Sequence, residues 1–395
     1  MNLAGFISAD SHVNEPEAAY ARIPKELRVK GPHFVQDPPG KKGLYICFEG
    51  HSPDPVGNTF LAGTGRDQSV VRDRVENFTW ERWRGPWDPS ARLDDMELDG
   101  VKIEVLYPSM ARNFYSLKGA DTPLQLAGLQ SYNDWMVDYC NVASRRLFGI
   151  GLLSVLDPEW SVKELQRCAQ LGLKGVMLPA SLPSGMSYSE AKFEPIWAAA
   201  ESMDYPVHFH INIKQSADRD AYEPGRTDAS MKEAGKRFVD RSIFEGPRLL
   251  TDLMFGLVLE NHPRMRVVFA EYELLWILPF MMRVEGNVRR FGKEHPEIPH
   301  MTATPSETIR RQVYITFQND PAGVAAAEKL DLLDNLMWSS DYPHGGSTWP
   351  ESRAAVQAQV GHMSQEMAWQ LTVGNAAKFY NIRGVRWLEK RETLD

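Results

Sequence analysis

The stretch LLDNLMWSSDYPHGG, residues 332–346, runs apolar from Leu336 to Trp338 and then breaks into two serines, Asp341 and His344 before a glycine pair. A short continuous apolar run bounded by turn residues reads as a strand covered on both faces, the kind found in parallel sheets. Its end carries a carboxylate and, three residues on, an imidazole in a Pro/Gly-rich loop. An ordinary turn can look the same. The weight of the reading therefore rests on whether other strands of the chain end in the same way.

Seven further runs share the pattern: GFISAD (5–10), VKIEVLYP (101–108), LFGIGLLSV (147–155), LKGVMLP (173–179), YPVHFHI (205–211), MRVVFAE (265–271) and VYITF (313–317). Between most of them lie stretches of helical spacing, such as DPEWSVKELQRCAQLG (157–172) and KFEPIWAAAESM (192–203). Strands alternating with helices imply right-handed βαβ units and a parallel sheet. Eight such units predict an α/β fold closed as a (β/α)8 TIM barrel, a single domain over 1–395. Two segments break the rhythm. Residues 28–90, rich in Pro, Gly and aromatics, form a long insertion after the first strand, and 212–247 form another after the fifth. Both would emerge at the C-terminal face, where barrels of this kind build their sites, and so read as a lid. Phe78, Trp80, Trp83 and Trp87 in the first insertion would suit a planar or apolar substrate, or simply pack together.

Ionisable residues gather at the strand ends. Residues two apart on a strand share a face, so Asp10 and His12 point the same way, as do His208 and His210. Asn14 would follow the first pair, whereas Glu15 joins them only if the chain has already turned. The sixth strand ends at Glu271 and the eighth at Asp341. Taken singly, each has a bland explanation: a turn cap, a hydrogen-bonded core histidine, or an acid paired with arginine. Four of eight strands ending in metal-capable side chains favours one converging set. Carboxylates and imidazoles without thiolates suit zinc, manganese or iron.

The bulk composition agrees with a small-molecule enzyme. The 395 residues are 43% hydrophobic and 24% charged, with a formal net charge of −8. An acidic surface repels a phosphate backbone, which argues against nucleic acid. No apolar run approaches membrane-spanning length and the N-terminal residues do not read as a secretory signal. Cys47, Cys140 and Cys168 are scattered without metal-binding spacing and read as free thiols. The expectation is a cytoplasmic protein. The segment 280–295 reads as a contact helix for a homo- or hetero-oligomer.

DSHVNEP (10–16), PVHFHI (206–211), HPRMRVVFAEYELLWILPFMMRVE (262–285) and NLMWSSDYPH (335–344) together resemble the amidohydrolase-2 branch of the amidohydrolase superfamily, which includes metal-dependent decarboxylases of aromatic and amino-muconic acids. The resemblance implies metal ligands at Asp10, His12, His210 and Asp341, with Asp341 also orienting water and His208 left to packing. It places Glu271 where the family keeps a catalytic histidine, so Glu271 is either a ligand or a base raised by burial. The reaction implied is hydrolysis or non-oxidative decarboxylation of a small acid, amide or lactone at one ion, with Asp341, Glu271 and His344 as the catalytic residues. The alternative is a dinuclear iron or manganese oxygenase in which Glu271, His344 and Glu15 join the ligands. A third reading is a metal-containing but non-catalytic subunit of a complex.

Overall fold

The computed structural model describes residues 3–49, 51–65, 67–215, 235–236, 239–295 and 297–385. Most of the second insertion, 216–234, lies outside the described residues. All eight expected strands form. They are β1 (Phe6–Val13), β5 (Val101–Pro108), β6 (Leu147–Gly149) with β7 (Gly151–Leu152), β8 (Val176–Ser181), β9 (Val207–Lys214), β10 (Val267–Ala270), β11 (Val313–Phe317) and β12 (Leu336–Trp338). Every pairing among them is parallel. The ladders run β1-β5-β6 and β7-β8-β9-β10-β11-β12.

Single hydrogen bonds, not continuous ladders, bridge the two seams between these sheets. At the first, β6 and β7 are one run interrupted at Ile150, whose N–H donates to Leu106 O while Gly151 N–H donates to Gly175 O. At the second, the chain beyond Trp338 reaches β1 through Asp341 N–H on Asp10 O (3.0 Å) and His12 N–H on Tyr342 O (2.6 Å). The hydroxyls of Ser8, Ser11 and Ser340 mesh there at 2.9–3.2 Å, beside a register shift in β1. Three small polar side chains thus replace the bulky residues that would push the two strand ends apart.

The connections are helical, as the spacing predicted. Asp157 caps the helix Pro158–Gln170 through Trp160 N–H, and Asp88 caps Pro89–Asp99 through the amides of Ser90 and Ala91. Gly100 ends the second helix at φ 82°, a left-handed position that glycine takes without a Cβ penalty. Among the described residues no helix is long and apolar enough to cross a membrane. The first insertion holds a small antiparallel sheet of β2 (His33–Gln36), β3 (Leu44–Phe48) and β4 (His51–Pro55). Its aromatics mostly pack on one another: Trp80 meets Phe34, Phe60, Phe78 and Trp87 edge-on. Trp83 lies instead under the Arg74 guanidinium.

One buried ion pair ties this scaffold to the barrel mouth. Arg92, fully buried, pairs with Glu104 on β5 and donates to His12 O at 2.7 Å. Removing one partner of such a pair strands the other charge away from water. Arg92→Met is expected to cost about 3–5 kcal/mol in urea unfolding. The double variant Arg92→Met/Glu104→Leu should recover more than half of that loss. A single variant as stable as the parent would show the pair to be dispensable.

Candidate metal centre

Six side chains converge at the C-terminal strand ends. Asp10 and His12 come from the end of β1, His210 from β9, Glu271 from the residue after β10, and Asp341 and His344 from the loop after β12. His12 Nε2 stands 3.4 Å from Asp10 Oδ1 and 3.4 Å from Asp341 Oδ1. His210 Nε2 lies 3.7 Å from Asp10 Oδ1 and 3.3 Å from Glu271 Oε2. The ring of His344 stacks on that of His12 at 3.9 Å between centroids. Donor atoms of Asp10, His12 and His210 lie within 4.8 Å of one another, as do those of His12, Glu271, Asp341 and His344.

The hydrogen bonding around this set is incomplete in an informative way. His12 Nδ1 is 3.0 Å from Pro108 O, and His210 Nδ1 is 3.0 Å from Ile211 O. A carbonyl oxygen only accepts, so each Nδ1 carries the hydrogen. Burial pushes both rings well below the usual histidine range, His210 to about 3, so both are neutral. Each Nε2 therefore presents a bare lone pair, and the two stand 3.1 Å apart. Neither can donate to the other. Asp10 Oδ1 and Asp341 Oδ1 are likewise buried without a hydrogen bond. Two lone pairs and two unpartnered carboxylate oxygens facing one point fit a divalent cation, which removes the conflict that water or a proton removes only in part.

Electrostatics point the same way. Burial raises the Asp10 carboxyl well above the usual range, with Asp341 and Glu271 adding repulsion. Burial and then Asp341 raise Glu271. Glu271 differs from the others in access: its side chain is 32% exposed, against 2% or less for Asp10, His12, His210 and Asp341. It is the carboxyl open to the mouth. Both Glu271 and Asp341 sit at positive φ, 62° and 56°. The Thr316 hydroxyl holds this corner, accepting from Glu271 N–H at 2.8 Å and donating to Asp10 Oδ2 at 3.3 Å.

Two sequence candidates lie elsewhere. Glu15 stays outside the cluster: its oxygens accept the backbone N–H groups of Met110 and Ala111 at 2.8 and 3.2 Å. His208 shares a face with His210 but lies deeper, with Nδ1 2.7 Å from the Tyr107 hydroxyl and its ring stacked on Tyr380. Sequence reasoning missed Thr316, Ser109, whose hydroxyl is 3.1 Å from His344 Nε2, and Arg112, whose charge acts on five of the six residues. The only signal for Arg112 was a cation directly after an apolar strand, in MARNFYS (110–116).

The chain resembles known proteins in both sequence and fold. The chain is 30% identical over 185 residues to a 2-amino-3-carboxymuconate-6-semialdehyde decarboxylase of Dictyostelium discoideum, a match spanning 47% of each sequence, about half of that relative's length. Its fold resembles an amidohydrolase from Mycobacterium avium subsp. paratuberculosis K-10, with TM-score 0.74, 17% identity and coverage of 95% of this chain and 99% of that one. It also resembles a 5-carboxyvanillate decarboxylase from Novosphingobium aromaticivorans solved with manganese and 4-hydroxy-3-methoxy-5-nitrobenzoic acid. There the TM-score is 0.65, the identity 18% and the coverage 95% and 96%. The amidohydrolase family model matches residues 9–382, which takes in all six converging side chains and every parallel strand but the start of the first, and the chain belongs to that family.

Proposed function

We propose that this chain is a metal-dependent, non-oxidative decarboxylase of small organic acids, with aromatic acids the first class to test. The observation that carries the metal part is the facing pair of His12 and His210 lone pairs flanked by unpartnered oxygens of Asp10 and Asp341. The reaction class is supported by the decarboxylases among its relatives and fold neighbours, one of them holding manganese. Asp10, His12, His210 and Asp341 would hold the ion, and a bound divalent cation supplies Lewis-acid polarisation of substrate oxygens.

The chain's own residues supply the rest. Decarboxylation breaks the bond between the carboxyl carbon and the skeleton, releases CO2 and leaves the electron pair on the skeleton carbon. That carbon must then take a proton. Glu271 is placed to carry it: it opens to the mouth and sits 3.3 Å from His210. His344, 3.0 Å from Asp341 and stacked on His12, walls the opposite side. We read the protein as cytoplasmic, which its free cysteines support, and as oligomeric, which the exposed Leu275, Met282 and Phe291 support.

Elemental analysis of protein purified without chelator should find about one divalent ion per chain, since both donor groups share the single Nε2 of His12. His210→Ala should lose that ion and the release of CO2 together. Should the variant keep both, this assignment of ligands is wrong. Glu271→Gln should keep the ion while turnover falls by about 10²–10⁴-fold, the usual scale for a lost proton carrier. Loss of the ion in that variant would instead make Glu271 a ligand. Chelation should abolish activity and added manganese restore it.

A further inference from the structure

The loops after β10 and β11 hold each other through exchanged carboxylates. Glu273 accepts the backbone N–H groups of Gln318 and Asn319 at 3.2 and 3.1 Å. Asp320 accepts those of Leu274 and Leu275 at 2.9 and 3.2 Å. Gln359, on the helix Ser352–Val360, completes the clasp. Its Nε2 donates to Gln318 O at 2.6 Å, and its Oε1 accepts from Asp320 N–H at 2.9 Å. The backbone of Gln318 is therefore tied at both its N–H and its carbonyl. Its side chain is not. Gln318 is 8% exposed, and its Nε2 is buried without a well-formed hydrogen bond.

That side chain ends beside the metal centre. A Cβ on Gly346 would stand 3.3 Å from Asp341 Oδ2 and 3.5 Å from Gln318 Oε1, so the two groups flank one gap. Gly346 does not adopt the left-handed backbone that calls for glycine, so its missing side chain is a matter of room. Nor can its loop withdraw. Pro343 O accepts Ala62 N–H at 2.8 Å, and Thr348 N–H donates to Ser340 O at 3.0 Å. A Cβ on the adjoining Gly345 would already meet Leu61 Cβ at 3.3 Å. Burial raises the Asp341 carboxyl well above the usual range, and the Gln318 side chain is among the groups that pull it back.

Two needs meet across this gap. Asp341 Oδ1, 3.4 Å from His12 Nε2, is the oxygen turned to the metal centre, which leaves Oδ2 to be oriented from elsewhere. Gln318 holds a buried amide donor that is costly to leave without an acceptor. We propose that Gln318 is a positioning residue for the metal centre: its Nε2 donates to Asp341 Oδ2 across the space left by Gly346 and so presents Oδ1 alone to the ion. A carboxylate free to swing binds an ion through both oxygens and closes a position that a substrate would take. Partners that orient a ligand in this way set how well the metal is held. The inference rests on Asp341 being a ligand, which is part of the metal reading above.

The test is calorimetric binding of manganese to the metal-free full chain, beside thermal unfolding of that metal-free protein. Gln318→Met keeps the length of the side chain and removes the donor. It should weaken manganese binding about 10–100-fold, the usual scale for a lost partner of a metal ligand. The unfolding midpoint without metal should stay level or rise, because the amide removed is unsatisfied there. A lower midpoint with affinity spared would make Gln318 merely structural and overturn the proposal. Gly346→Ala should weaken manganese binding in the same direction by wedging a methyl group between the two side chains. It keeps the proposal testable should Gln318→Met not fold. In an Asp341→Ala background, Gln318→Met should cause no further loss. An equal loss there would mean that Gln318 acts without Asp341, which also overturns the proposal. The two readings fail separately. Wild-type affinity in Asp341→Ala removes the ligand assignment. Wild-type affinity in Gln318→Met, with Asp341→Ala impaired, removes only the positioning role.

Discussion

Two neutral imidazoles with bare nitrogens 3.1 Å apart, and three carboxyl groups closing on them, form an arrangement a folded chain does not reach without something to balance it. Two like charges about 4 Å apart repel by about 4 kcal/mol at the effective dielectric of a protein. Protonation relieves part of this, as the raised carboxyls show, but leaves the two histidine lone pairs facing. A divalent cation answers both conflicts at once. The architecture around the barrel mouth reads as the means of holding this set together. Serine hydroxyls let β1 and the chain after β12 approach, Arg92 grips the His12 carbonyl, and Thr316 joins Glu271 to Asp10.

Two of the nine described non-glycine residues at positive φ, Glu271 and Asp341, belong to this site. Non-glycine residues at positive φ cost about 1–3 kcal/mol each and persist where surrounding structure over-determines them. Glu271 and Asp341 both adopt such backbone, one at the end of β10 and the other just past β12. In each case the residue's own amide is tied to the neighbouring strand region, Glu271 to Thr316 and Asp341 to Asp10. An extended backbone would have continued the alternation and turned the carboxylate along the strand. The left-handed backbone instead sets Asp341 beside His12 and Glu271 beside His210.

That difference explains what could be read from sequence. Parallel strands buried on both faces announce themselves as apolar runs, so all eight were legible, with ends displaced by a few residues where apolar loops continue the pattern. The pairing of Asp10 with His12 and of His208 with His210 follows from strand alternation, and the choice of His210 over His208 followed from the family resemblance. The closeness of Glu271 and Asp341 does not follow, because their directions are set by left-handed backbone that periodicity cannot see. Thr316 and Ser109 were invisible for another reason. A hydroxyl at a strand end looks like any other until its neighbours across the sheet are known. The tryptophans of the first insertion were ambiguous from composition. The structure packs Trp80 and Trp87 into that segment's own small core and sets Trp83 beneath Arg74.

Glu15 shows how two buried acids on one strand extension come to do different work. Asp10 and Glu15 are both fully buried. Burial lifts Glu15 to about 7, the amides of Met110 and Ala111 pulling against it. Those two donors satisfy both of its oxygens without an ion, whereas Asp10 has only the Thr316 hydroxyl and keeps Oδ1 unpartnered. The acid with backbone donors fixes a loop, and the acid without them waits for a cation. Spacing had set Asp10 beside His12 and admitted Glu15 only if the chain had already turned. What separates them is the path of the chain after β5, which brings the amides of Met110 and Ala111 to Glu15 and none to Asp10 Oδ1.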